Sequence, residues 1–176
     1  MNPNDAQPPT TINLTSPMNP DIPAVNEPSK SPVDILIVED NNADLMIMQE
    51  ALLESGLSAN LHTAVNGEEA MKFLRRVGDY SNAPRPHLIL LDLNMPRKNG
   101  YEVLEEIKSD RLLMRIPVVI LTTSQADEDI SRAYAAHANC YIRKPVDFHN
   151  FCEIMTRIKT FWFETVSLSA HPSHRS

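Results

Sequence analysis

The chain has 176 residues, enough for one ordinary domain with tails and too few for two comfortable ones. Its hydrophobic content of 42% allows a proper core, yet no apolar run is long enough to span a bilayer. The net charge of −7, with basic residues scattered rather than striped, argues against a nucleic-acid surface.

Residues 1–32 hold more than half of the 14 prolines among Asn, Thr and Ser, with no aromatic residue. Such a segment buries too little apolar surface to offset its ordering entropy, so it reads as a disordered arm. It shows no basic stretch followed by an apolar core, as a secretory signal would. The only cysteines, Cys140 and Cys152, read as buried free thiols, and together these features point to the reducing cytoplasm.

From Val33 short apolar runs alternate with stretches of helical period. Ile35–Val38 predicts a first strand; Leu45, Met48, Gln49, Leu52 and Leu53 predict a helix that stops near Gly56. Leu61–Val65 is a weaker strand, and Gly67 opens a helix with Ala70, Phe73 and Leu74 on one face. His87–Leu91 is an apolar strand after Pro84 and Pro86, and Asn99-Gly100 turns into a helix carrying Val103, Leu104 and Ile107. Pro117 precedes the strand Val118–Leu121; Asp127–Ala136 reads as a helix and Cys140–Ile142 as a short strand. Asp147 caps a last helix bearing Phe148, Phe151, Ile154, Met155, Ile158 and Phe161.

Five strand–helix units follow, and the runs at Ile35, Leu88 and Val118 are apolar throughout, as strands covered on both faces must be. Strict alternation implies a parallel sheet with right-handed crossovers. The expected fold is α/β, a flavodoxin-like (βα)5 doubly wound sheet of order 2-1-3-4-5, with the first and third strands adjacent at the switch point. The domain spans 33–166, with a flexible tail over 167–176.

The strand ends carry an unusual polar set. Glu39-Asp40 follow the first strand, Asp92 the third, Thr122 ends the fourth, and Lys144-Pro145 follow the fifth. Each has a bland reading as a cap, a turn or a solvated surface residue. Their joint occurrence, in order, at one edge of one sheet is what a site requires. Three carboxylates at about 4 Å and an effective dielectric near 20 repel by on the order of 4 kcal/mol per pair. Lys144 supplies one positive charge, and a hard divalent ion, Mg²⁺ with several waters, suits the remaining oxygens. Asp92 set against that ion can attack phosphorus. The metal and Lys144 neutralise the phosphoryl oxygens, and Thr122 donates a hydrogen bond to them.

These stretches, Ile35-Leu-Ile-Val-Glu-Asp40, Leu90-Leu-Asp-Leu-Asn-Met-Pro96 with Asn99-Gly100, Val119-Ile-Leu-Thr122 and Tyr141-Ile-Arg-Lys-Pro145, resemble the receiver domains of two-component response regulators over residues 33–166. The resemblance implies that Asp92 is the phosphoacceptor. It also implies Mg²⁺ held by Asp40 and Asp92, by Glu39 largely through water, and by the backbone carbonyl of Asn94. Lys144 would pair with the phosphoryl group, Thr122 and Tyr141 would form the switch pair, and Pro145 would follow a cis peptide. Asn94 and Ser124, each two residues past a key position, would flank the hydrolytic water.

Phe161-Trp162-Phe163-Glu-Thr-Val166 and the segment from Gly78 to Pro86 look like small receivers that pair with cyanobacterial-type phytochromes, light-regulated histidine kinases. The implied partner is a sensor kinase of that kind, with a second copy of the chain as a further partner and no nucleic acid or membrane. Three consecutive aromatics cannot all face one core, so they are expected to serve a dimer or docking surface. The implied protein is a phosphorylation switch, not an enzyme acting on an external substrate, with Mg²⁺-dependent self-phosphorylation and autodephosphorylation. Little chain follows Val166, so output is expected through protein–protein contact. An Asp-nucleophile phosphatase is the main rival, but its second Asp would fall where Asn94 stands. A nucleotide- or flavin-binding module is disfavoured because none of the 4 glycines builds a phosphate-cradling loop.

Overall fold

The computed structural model describes the backbone of Ile12–Leu14 and residues 31–168. The strands are β1 (Ile12–Leu14), β2 (Val33–Val38), β3 (Ala59–Ala64), β4 (Leu88–Leu91), β5 (Val118–Thr122) and β6 (Cys140–Arg143). The helices are α1 (Asn42–Glu54), α2 (Gly67–Arg75), α3 (Gly100–Ser109), α4 (Asp127–Ala135) and α5 (Phe148–Lys159). The sheet runs β1-β3-β2-β4-β5-β6, and every pairing from β3 to β6 is parallel. Counted among themselves, the five parallel strands have the expected order 2-1-3-4-5.

The two-residue period of a strand sorts its side chains into two cores. Leu36, Val38, Ile89, Leu91, Val118 and Ile120 face the α2–α3 side with Phe73, Leu104 and Ile107. Ile35, Ile37, Leu88, Leu90, Val119 and Leu121 face the other side with Met48, Leu52, Phe151 and Met155. Because alternate residues serve opposite cores, the Ile35–Val38 part of β2, β4 and Val118–Leu121 of β5 have no polar side to show, which is why they read as continuous apolar runs.

Two departures concern the ends of the chain. The expected disordered arm over 1–32 lies mostly outside the described residues, but Ile12–Leu14 depart from it by pairing antiparallel with β3, Ile12 opposite Leu61 and Leu14 opposite Ala59. Composition described the arm as a whole and missed one β-prone window in it, Thr10-Thr-Ile-Asn-Leu-Thr15. The expected tail lies outside the described residues beyond Leu168. At the other end the last helix does not continue through the aromatics. It widens into a π-helical turn, Thr160–Thr165, that leaves Phe161 51% exposed and packs Trp162 and Phe163 against the α1–α5 core.

Candidate functional site

The parallel ladder carries on one residue past the strands and fixes where the polar residues stand. Asp92 N–H donates to Val38 O at 3.0 Å, Glu39 N–H to Ala64 O at 3.0 Å, and Lys144 N–H to Thr122 O at 2.8 Å. Five strand ends therefore lie along one edge of the sheet, and those of β2, β4, β5 and β6 carry the polar residues. Glycine makes the approach of α3 possible: a Cβ on Gly100 would lie 2.1 Å from Asp92 O. Asn99 caps α3 through a capping box with Glu102, so the helix starts immediately behind Asp92.

Lys144 is the centre of the site. Its Nζ donates to Glu39 Oε2 at 2.6 Å, Asp44 Oδ2 at 2.8 Å and Asp92 Oδ2 at 3.0 Å. Glu39, Asp92 and Lys144 are 1%, 6% and 8% exposed, so this charge is held nearly out of water. Burial works against the ammonium, but Asp44, Glu39 and Asp92 outweigh it and hold its pKa above the usual lysine range. Burial and the neighbouring Asp92 push the Glu39 carboxyl up in spite of Lys144.

Ligand oxygens of Glu39, Asp40 and Asp92 lie within 4.8 Å of one another, and Asp40 is exposed. This donor set is all carboxylate oxygen, with one side open to water. It fits a hard divalent cation that keeps part of its hydration shell and does not suit a metal that wants nitrogen or sulfur. Asp44 escaped the sequence reading. It lies in the first turn of α1, which Asn41 caps by accepting from the N–H groups of Ala43 and Asp44. The available signal was its position just inside a capped helix that begins at the acid pair.

The other expected residues gather at the same edge. Asn94 N–H donates to Asp92 Oδ1 at 3.2 Å, and Asn94 Nδ2 donates to Thr122 Oγ1 at 3.3 Å. Tyr141 is half-buried, and its hydroxyl donates to Ser124 O at 3.3 Å. Phe161, Trp162 and Phe163 lie elsewhere, with Phe161 and Trp162 in edge-to-face contact at 5.1 Å. Phe161 and Trp162 border an apolar groove of about 290 Å³ between β6 and α5, lined among others by Cys140, Ile142, Ile154 and Ile158. One expectation is corrected: the Lys144–Pro145 peptide is trans. The two isomers of an X–Pro bond differ by only about 0.5–1 kcal/mol, so the dipeptide does not dictate one. The ladder bond of Lys144 and its three carboxylate partners aim the side chain instead.

A model of the response regulator receiver domain matches residues 35–156. Response regulator Rcp1 of Synechocystis sp. is 45% identical over 146 residues, 83% of this chain and 99% of that protein. The crystal structure of the phosphorylated cyanobacterial phytochrome response regulator RcpA superimposes with a TM-score of 0.76 at 48% identity, over 80% of this chain and all of that one. The Mn²⁺-bound form of Rcp1 matches with a TM-score of 0.74 at 47% identity, over 79% of this chain and all of that one.

Proposed function

The chain belongs to the response regulator receiver domain family, and from that premise we propose that Asp92 accepts a phosphoryl group from a phytochrome-type histidine kinase in the cytoplasm. The observation that carries this is a single buried ammonium bonded to both Glu39 and Asp92, with Asp40 completing a three-carboxylate cluster. The cluster is a site for one more cation and one more anion together, which is what a phosphoryl group arriving with its metal provides.

Asp40 and Asp92, Glu39 largely through water, and the carbonyl of Asn94 would hold Mg²⁺. When bound, it neutralises charge on the transferring phosphoryl oxygens and on the attacking carboxylate. Asp92 attacks phosphorus in line; its O–P bond forms as the donor's N–P bond breaks, and the departing histidine takes a proton. With acetyl phosphate as donor, acetate leaves instead. Lys144 exchanges a carboxylate partner for a phosphoryl oxygen, which costs little because its charge stays paired. Thr122 turns its hydroxyl from Asn94 to the new group, and Tyr141 follows into the vacated space. Ser124 and Asn94 flank the water that later cleaves the acyl phosphate. Phosphorylation shifts the equilibrium between the two conformations by the difference in the contacts the phosphoryl group makes with each.

Output passes through protein–protein contact. The exposed Phe161 and the apolar groove beside it support a second copy of the chain as one partner. A hydrolase is disfavoured because Asn94 cannot act as a general acid. The test is transfer from a labelled phytochrome kinase in Mg²⁺. One equivalent of label on the chain, not taken up when EDTA replaces Mg²⁺ or in Asp92→Asn, supports the reading. Undiminished labelling of Asp92→Asn, or catalytic release of phosphate from an unrelated phosphomonoester, overturns it.

A further inference from the structure

A line of hydrogen bonds leaves Thr122 and ends on α3, outside the acid cluster. Ser124 N–H donates to Thr122 Oγ1 at 3.4 Å. The Ser124 hydroxyl donates to Asp129 Oδ2 and accepts from Ala126 N–H at 3.4 Å. The other carboxylate oxygen of Asp129 accepts from the Tyr101 hydroxyl at 2.8 Å, and Asp129 O accepts from the same hydroxyl at 3.1 Å. Arg132, three residues on along α4, lays its guanidinium 4.0 Å from the Tyr101 ring centre.

Tyr101 stands in the first turn of α3, the helix that Gly100 seats against Asp92. Its ring is 7% exposed, and a buried phenol needs a partner for its hydroxyl. Asp129 gives it two acceptors. The α4 N-cap residue, Ala126, makes no side-chain capping bond, so Ser124 and Asp129 supply the side-chain ties at that end of the helix. The bonds from Ser124 and Tyr101 hold the Asp129 carboxyl below the usual range, and at neutral pH it is an ionised acceptor of two hydroxyls.

We propose that Asp129 is a positioning residue of the switch: with Ser124 and Tyr101 it clamps the loop after β5 and the start of α4 onto α3, and so opposes the movement of Thr122 toward Asp92. This rests on the reading of Asp92 and Thr122 given above. Ser124 is bonded to both members of the switch pair, through its N–H to Thr122 and through its carbonyl to Tyr141. Neither can move far without loading Ser124, and Asp129 holds Ser124 by its side chain. The clamp favours the resting form, so releasing it favours the form that accepts the phosphoryl group.

The experiment compares the intact chain with Tyr101→Phe, Asp129→Asn and the double variant, all in Mg²⁺. Initial rates of labelling by acetyl phosphate and affinity for beryllofluoride, a phosphoryl mimic, are the readouts. Each single variant is expected to raise both by roughly three- to ten-fold, the worth of one hydrogen bond. The double variant should exceed neither by more than a small factor, because both break the same link. Glu128→Gln, which removes the same charge from the same turn of α4, should leave both unchanged. Rates and affinities unchanged or lowered in both single variants, while the parent chain is labelled normally, overturn the clamp. So does an equal gain in Glu128→Gln, which would mark a general loosening of α4. A parent chain that takes no label fails the underlying reading instead.

Discussion

Lys144 neutralises less charge than surrounds it. One ammonium faces Glu39, Asp44 and Asp92, with Asp40 alongside. Removing it leaves buried carboxylates unpaired, which costs about 3–5 kcal/mol. Lys144→Ala is therefore expected to unfold at clearly lower denaturant than the parent in EDTA and to recover much of the loss in millimolar Mg²⁺. It should still bind the metal but take label slowly. A variant as stable as the parent in EDTA would contradict the role given to Lys144. The pH dependence follows from Glu39, whose carboxyl is pushed above its ordinary 4.5 by burial and by Asp92. Between the unfolded and folded values the native chain holds a proton that the unfolded chain releases. The metal-free fold thus loses stability as pH rises through that window, and a divalent cation must displace the proton as pH falls into it. Calorimetric Mg²⁺ titrations should show weaker binding at pH 5 than at pH 7.5, with proton release at the acid end. Equal affinity and no proton release at both would contradict the assignment.

At the scale of elements, the site depends on two helix starts. Asn41 caps α1 and delivers Asp44 to Lys144; Asn99 caps α3 and brings Gly100 against the backbone of Asp92. An alanine methyl at position 100 would meet Asp92 O at 2.1 Å and Leu93 Cα at 2.7 Å, backbone atoms that cannot step aside alone. Gly100→Ala is expected to cost about 1–3 kcal/mol in urea unfolding and to slow labelling from acetyl phosphate, since α3 or the backbone of Asp92 must shift. Parental stability together with parental rates would contradict the close approach. The helix caps were only partly legible in the sequence. Asn99-Gly100 announces a turn, but the use of Asp44 depends on where α1 begins relative to Lys144, and these residues stand 100 positions apart.

At the scale of the molecule, the strands were legible because β2, β4 and β5 are buried on both faces, and their polar successors stand out against them. The converging site was legible for the same reason. The π-helical turn was not, because Phe161-Trp-Phe fits a longer α5 equally well by pattern. The trans Lys144–Pro145 bond was not either, being set by small energy differences. Nor was β1, three residues of pairing inside an arm whose composition speaks against structure. An edge strand leaves a row of N–H and C=O groups open, and β1 covers part of that row on β3. Deleting residues 1–30 is expected to speed amide exchange at Ala59–Leu61 while leaving the core amides of β4 and labelling of the chain at parental levels. Unchanged exchange at β3 would show that the arm gives that edge no protection.

The most direct measurement is the position of the acyl phosphate. The chain is incubated with acetyl phosphate in Mg²⁺, reduced with borohydride, which converts an aspartyl phosphate to homoserine, and sequenced by mass spectrometry. Homoserine at position 92 alone, absent when EDTA replaces Mg²⁺, is the predicted result. Homoserine at position 40 or 44 with Asp92 intact, or none anywhere in a chain carrying label, would contradict it.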